Sequence, residues 1–213
     1  MHRSVFHPVG LKVAASSLVL FGCVQSESGD KPADTPAAAT VAPAVTPTPV
    51  ATPETADMSI EVDVKARRLH VLKAGQRTAS HPVAVGSTEW PTRTGDWTIT
   101  QVVWNPDWNP PDESWAEERE PRESGDPKNP MGRAQLVYDP PRSIHGTNQP
   151  SSIGKPVSHG SIRLSNDVIV KLAQEVMESA GAAKDSAWYR ETRQNRKQKQ
   201  IVDLPKVVPI RVF

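Results

Sequence analysis

The stretch S-H-G-S-I-R-L-S-N, residues Ser158–Asn166, combines a histidine, a glycine and a hydroxyl side chain in a pattern typical of a nucleophilic site. His159 lies two positions before Ser161, and a second histidine, His145, lies sixteen positions before it. The intervening proline- and glycine-containing residues predict a loop, so the chain can fold back and bring His145 to Ser161. A hydroxyl nucleophile needs a base that takes its proton. A hydroxyl flanked by two histidines, each followed by a glycine, therefore indicates a nucleophilic site, with purely structural roles for the histidines as an equally favoured alternative.

Alternating apolar residues predict that the chain around this stretch is a mainly β (α+β) domain over residues 58–213. Ile60, Val62 and Val64 alternate with polar residues, which is the period of a half-buried strand. Further strands are predicted at Leu69–Val71, Pro82–Gly86, Trp97–Ile99, Leu136–Tyr138, Ser143–His145 and Val207–Phe213. A segment of this length suffices for a single hydrophobic core.

One amphipathic helix is predicted directly after the stretch. Apolar residues recur at three- and four-residue spacing at Val168, Ile169, Leu172, Val176 and Met177. The stripe predicts a core-facing helix whose N-terminus would lie directly after the H-G-S turn. Its start can be capped by Ser165, Asn166 or Asp167, and Gly181 suits its end. A basic run over residues 184–199 is interpreted as a solvated helix face, with a surface that attracts the anionic cell wall or membrane headgroups as the alternative.

Residues 104–133 form a proline-broken segment that contains three tryptophans, Trp104, Trp108 and Trp115. Proline interrupts every helical or strand register here, which predicts a long irregular loop. Large aromatic side chains are unfavourable when wholly exposed to water. We therefore predict a lid-like loop that packs over the site.

The N-terminal part of the chain predicts export and anchoring. Residues 1–23 have a basic start and an apolar run, Val13–Gly22, which is shorter than the roughly 20 residues that cross a bilayer. The run ends in L-F-G-C, which resembles a bacterial lipobox and predicts lipidation of Cys23 and membrane attachment; an ordinary secretory leader is the alternative. Residues 24–57 carry six prolines among small residues and predict a disordered tether. Val24 after the cysteine resembles outer-membrane sorting, so the predicted location is the periplasm, at the outer membrane.

The composition of the chain excludes some classes of partner and of stabilising bond. The formal net charge is +1, which argues against nucleic acid as a partner because nucleic-acid binding favours a basic face. The single cysteine excludes an intramolecular disulfide, so packing alone must stabilise the domain. We expect no metal and no cofactor.

Together with I-H-G-T-N-Q-P-S-S-I-G-K-P-V at Ile144–Val157, the stretch resembles the active-site signature of the L,D-transpeptidases, the YkuD family. The resemblance covers roughly residues 59–213 and is strongest over residues 129–166. It implies a β-sandwich or barrel-like catalytic domain with one or two helices. It also implies acyl transfer on peptidoglycan stem peptides, in which a nucleophile attacks a tetrapeptide, expels D-alanine and passes the acyl group to an amine.

The resemblance also implies roles for individual residues. Ser161 falls on the nucleophile and His145 on the proton donor and acceptor, while His159 and Ser158 match neighbours that orient the pair. Arg163 would hold a stem carboxylate through its planar guanidinium. The other implied substrate-binding positions are Gly146, Thr147 and Gly160, the last with the backbone N–H of Ser161 as an oxyanion donor.

Ser161 departs from the family pattern, in which this residue is a cysteine. A thiol near pKa 8.5 can be ionised before the substrate arrives, whereas a serine must lose its proton to a well-oriented base during attack. Two hypotheses therefore remain open: a working Ser161–His145 transferase, or a non-catalytic protein that binds peptidoglycan and tethers the membrane to the cell wall.

Overall fold

The protein is represented by a computed structural model that describes residues 53–213. The predicted leader, Cys23 and the tether as far as residue 52 lie outside the described residues. The strands are β1 Met58–Asp63, β2 Arg68–Lys73, β3 Gln76–Pro82, β4 Val85–Gly86, β5 Gly95–Trp104, β6 Ala134–Asp139, β7 Arg142–His145, β8 Pro156–Ser158, β9 Ile162–Arg163 and β10 Gln200–Val212. The helices are α1 Asn166–Ser179 and α2 Ser186–Gln194.

Eight of these strands form one sheet, in the order β3-β2-β1-β10-β5-β6-β7-β9, and β4 pairs with β8 in a small second sheet. Within the large sheet β1 and β10 run parallel, as do β7 and β9, and the other neighbours are antiparallel. α1 lies against β6. The prediction of a mainly β domain with helices is confirmed.

The core forms where the regular spacing of apolar residues in the sequence places their side chains on one face of a strand or helix. Met58, Ile60 and Val62 of β1 are buried in alternation with more exposed residues. The buried residues of α1 are Ile169, Leu172, Ala173, Val176 and Met177. Each fully buried aliphatic side chain of this size stabilises the fold by about 1.5–3 kcal/mol. The predicted helix is confirmed, and Gly181, with φ +78°, ends it as expected.

Several boundaries differ from the sequence predictions. Thr55 pairs with Val207 and Ala56 is buried, so the last residues of the predicted tether belong to the folded domain. β3 was not predicted because it is an edge strand without an apolar face. β10 begins well before Val207, because a register shift between Asp203 and Val208 accommodates a proline within the strand.

Assigning Trp104 to the lid-like loop was wrong. Trp104 ends β5, is 1% exposed, and its Nε1 lies 3.2 Å from Met177 Sδ. Its ring meets Trp188 and Tyr189 of α2 at centroid distances of 6.0 and 5.8 Å. The basic run on α2 therefore has an aromatic inner face that packs on the core. The loop itself comprises residues 105–133.

Neither helix in residues 53–213 has the length and apolar character needed to cross a membrane.

Candidate active site

The pairing of β7 with β9 builds the site. The two strands run parallel, with Ile144 opposite Ile162 and His145 opposite Arg163. The chain between them makes the predicted return, through a 3-10 turn at Pro150–Ser152 and β8. A cleft of about 650 Å³ results, and the predicted residues that line it are His145, Ser158, His159, Ser161 and Arg163.

Gly146, Thr147 and Gly160 do not line the cleft but are buried beside it. Gly160 has φ +96°, and a Cβ there would lie 2.8 Å from Arg142 Nε, so the turn before Ser161 requires glycine. β9 separates Ser161 from α1, so the predicted direct junction between the turn and the helix is wrong.

Ser161 is half-buried in the cleft, and both its side chain and its carbonyl are held by hydrogen bonds. Its Oγ accepts a hydrogen bond from the backbone N–H of Ser143 at 3.3 Å. Its carbonyl accepts one from Ser158 Oγ at 2.5 Å. Ser143 was missed by sequence reasoning because it acts through its backbone, which no residue type reveals. Its N–H favours the charged form of the Ser161 oxygen.

His145 is buried, and its ring is oriented by the main chain. Its Nδ1 lies 2.6 Å from the carbonyl oxygen of Gly146, so Nδ1 carries the proton and Nε2 is left as the acceptor. Burial and the charge of Arg163 lower the pKa of His145 to about 4, against the opposing effect of hydrogen bonds from the ring to the backbone carbonyls of Gly146 and Met131. The imidazole is therefore neutral near pH 7. The described contacts include no direct hydrogen bond between His145 and Ser161.

His159 is fixed by aromatic rings. It stacks on Trp115 at a centroid distance of 3.9 Å and an angle of 9°, with Trp90 at 6.1 Å. Burial lowers the pKa of His159, and the charges of Arg163 and Arg119 add to that effect. The structure thus places His159 in the cleft wall as an oriented side chain whose neutral form is favoured.

Arg163 lies in the cleft with a charge that has no ion-pair partner among the described residues. Its guanidinium has no ion-pair partner within residues 53–213, and its buried Nε has no hydrogen-bond partner there. Burial lowers its pKa. The backbone is held by reciprocal hydrogen bonds with Ala84, each 2.9 Å long. A partly desolvated guanidinium without a partner in the described part of the chain suits a carboxylate ligand.

The lid-like loop, residues 105–133, forms part of the cleft wall. Trp108 and Trp115 line the cleft, with ring centroids 6.4 Å apart. Glu113 holds this wall in place, because it accepts a hydrogen bond from Trp115 Nε1 at 2.7 Å and pairs with Arg142 at 3.3 Å. The Glu113 and Arg142 side chains are only 21% and 23% exposed, so water screens the pair weakly.

Glu113→Ala is expected to loosen this loop, because it removes both the ion pair and the hydrogen bond to Trp115. Together these contribute about 1–2 kcal/mol, so the loop should open about tenfold more often. Faster proteolysis within residues 105–133 and a red shift of tryptophan emission would show the more frequent opening of the loop. Glu117→Ala, an exposed change in the same loop, is the matched control. Equal cleavage rates in both variants would show that Glu113 does not hold the loop.

Within residues 53–213 no group of three or more histidine, cysteine, aspartate or glutamate side chains is close enough to hold a metal ion.

Comparisons with known proteins identify the family of the chain. Residues 57–198 match the model of the YkuD family, described as the L,D-transpeptidase catalytic domain. YqjB of Bacillus subtilis, named as an L,D-transpeptidase, is 30% identical over 126 residues, which cover 56% of this chain and 66% of the relative. YkuD of Bacillus licheniformis, similarly named, is 31% identical over 124 residues, 58% of this chain and 62% of the relative. The chain thus spans less than two thirds of the length of these relatives.

Solved structures of L,D-transpeptidases are also similar to the chain. The catalytic domain from Enterococcus faecium has 18% identity and a TM-score of 0.46, over 75% of this chain and 98% of that domain. The enzyme from Mycobacterium smegmatis has 20% identity and a TM-score of 0.46, over 74% of this chain and 59% of that chain. The family match includes all the cleft residues described above, and the chain therefore belongs to the YkuD family of L,D-transpeptidase catalytic domains.

Proposed function

We propose that the protein is a peptidoglycan-modifying acyl transferase that acts on tetrapeptide stems, with Ser161 as nucleophile and His145 as base. The observation that carries the proposal is the Ser161 hydroxyl in the cleft, which accepts the Ser143 N–H beside a neutral, oriented imidazole. Membership of the YkuD family supports the reaction class.

In the proposed reaction Ser161 Oγ attacks the carbonyl carbon of the stem while His145 Nε2 takes the hydroxyl proton. The tetrahedral intermediate collapses, the bond to D-alanine breaks, and His145 returns the proton to the leaving amine. An acceptor amine then attacks the carbonyl of the resulting ester while His145 takes its proton, and the ester bond to Ser161 breaks as His145 passes that proton to Ser161 Oγ. Hydrogen bonds between base and nucleophile are often long in unliganded sites and shorten when substrate binds. The proposed reaction therefore does not require a direct Ser161–His145 hydrogen bond before the substrate binds.

The electrostatics of the cleft suit an oxygen nucleophile. With an uncharged serine at position 161, burial and the positive charge of Arg163 both disfavour protonation of His145. A serine nucleophile requires a neutral imidazole that can accept its proton in the transition state. The state in which the fold holds His145 is the one that Ser161 needs.

Arg163 supports recognition of the stem. The stem peptide is rich in carboxylates, and the unpaired guanidinium lies in the same cleft as Ser161. A bidentate pair there would orient the scissile carbonyl and be stronger than in water because the group is partly desolvated.

The rate of D-alanine release should depend on pH through His145. Because its pKa is lowered to about 4, the base stays unprotonated in mild acid, and kcat/KM should fall only as the pH approaches 4 rather than 6.5. Arg163→Gln removes a charge that lowers this pKa, so the acid limb should move to higher pH, whereas Arg163→Lys should keep it low. An acid limb near 6.5 in the wild type would contradict the neutral-base assignment.

A non-catalytic peptidoglycan-binding protein is the second candidate function. The lack of a direct Ser161–His145 hydrogen bond favours it, and the free guanidinium of Arg163 can bind a carboxylate without any chemistry.

The two candidates are separated by incubating the purified protein with a disaccharide-tetrapeptide, while D-alanine release and the intact protein mass are measured. The transferase proposal expects D-alanine from the wild type and an acyl adduct on Ser161. Saturable binding with neither product, together with D-alanine release by Ser161→Cys, would identify a binding protein whose cleft lacks only the thiol.

A further inference from the structure

Asn166 joins three parts of the chain behind the cleft. It is the first residue of α1, yet its side chain points back from the helix, where its Nδ2 donates to the carbonyl oxygen of Thr147 at 2.9 Å. Its Oδ1 accepts from the backbone N–H of Arg133, also at 2.9 Å. Asn166 thus ties the start of α1 to the residues just after His145 and to those just before β6.

Two glycines make this approach sterically feasible. A Cβ at either Gly132 or Gly146 would overlap Asn166 Oδ1, and one at Gly132 would also lie 2.6 Å from the carbonyl carbon of Gly146. Gly132 has φ +68°, a backbone conformation that glycine adopts without strain. The amide of Asn166 is therefore packed directly against the peptide units on either side of Gly146.

These peptide units control the ring of His145. The carbonyl of Gly146 receives the His145 Nδ1 proton, so its direction sets which ring nitrogen remains as the acceptor. Besides the pairing of His145 in the sheet, three hydrogen bonds hold the segment: Leu164 N–H donates to the His145 carbonyl at 2.9 Å, Gly146 N–H donates to the Ala134 carbonyl at 3.0 Å, and Asn166 donates to the Thr147 carbonyl. Only the third of these bonds is made by a side chain.

We propose that Asn166 is a positioning residue for the reaction, because it fixes the Gly146–Thr147 backbone and, through the Gly146 carbonyl, keeps His145 in the tautomer whose Nε2 accepts a proton. An amide is required because the position needs one donor and one acceptor, which neither a carboxylate nor an aliphatic side chain provides. The consequence for turnover rests on the proposed function, whereas the tautomer of His145 is a property of the folded protein alone.

The test uses the full-length protein with Asn166→Ala, and with Asn166→Asp, which retains the acceptor for Arg133 N–H but loses the donor to Thr147. The ring nitrogens of His145 are observed by ¹⁵N NMR at a pH well above its pKa, together with kcat and KM for D-alanine release. Asn195→Ala, on an exposed asparagine that binds Gln198, is the matched control.

We expect a single Nδ1–H tautomer in the wild type and in Asn195→Ala, and a mixture of tautomers in both Asn166 variants. Misplacing the base should lower kcat by about 100-fold with little change in KM. An unchanged His145 tautomer in folded Asn166→Ala and Asn166→Asp would overturn the proposal. A shifted tautomer in a protein that releases no D-alanine even as wild type would instead refute the proposed function and leave the positioning role intact.

Discussion

Ser161→Ala is expected to abolish D-alanine release, lowering kcat by roughly 10⁴-fold or more, and His145→Ala should lower it by a similar factor. The reason is that a nucleophile and its base act as a unit, so removing either one removes most of the benefit of the other. The Ser161→Ala, His145→Ala double variant should accordingly be little worse than either single variant. Steady-state D-alanine release, with the intact mass as a check for the acyl adduct, measures all three.

Ser165→Ala is the matched control for this series. Ser165 lies four positions after Ser161 and precedes α1, where its side chain makes no capping hydrogen bond. Its loss should leave turnover unchanged. Measurable wild-type turnover that survives Ser161→Ala would exclude Ser161 as the nucleophile, whatever the effect of His145→Ala.

Trp104→Ala is expected to lower the free energy of unfolding by about 3–5 kcal/mol, because it removes the largest fully buried side chain and leaves a cavity between β5 and α2. Trp115→Ala, in the loop over the cleft, should lower it by no more than about 1 kcal/mol. Urea unfolding followed by circular dichroism measures both. Similar midpoints for the two variants would mean that Trp104 does not belong to the core.

The contrast between these two tryptophans shows where sequence reasoning was limited. Trp104 lies two residues before Pro106 and Trp115 lies four residues after Pro111 in the same proline-rich stretch, and neither composition nor spacing distinguishes them. What separates them is that β5 continues to Trp104, where a partner from α2 covers the ring. That partner, Trp188, lies far along the chain in a basic run. The many charged residues of this run gave no indication that one side of α2 packs on the core. When a distant element buries a residue, the sequence near that residue does not reveal the burial.

Helices and strands with one buried face could be predicted, because the buried face requires apolar residues at a regular spacing in the sequence. β1 and α1 are examples, whereas β3 has no such face and was missed. The grouping of His145 and Ser161 in one cleft followed from the loop between them and from the family signature. The Ser143 N–H and the direction of the Gly146 carbonyl could not be predicted from the sequence, since backbone groups are the same at every residue. Asn166 was predicted only as a helix cap, for which an asparagine is also common.

The order of strands in the large sheet has a consequence for self-association. An open sheet has two edges, and long apolar edges invite strands of other molecules to add to them. Here one edge is β3, whose residues Q-R-T-A-S-H-P are polar and end in a proline. The other is β9, only two residues long, and its outer side is already occupied by Ala84. Within the described part of the chain, the sheet thus offers little template for intermolecular β-addition, which should help the domain stay dispersed where many copies are crowded together.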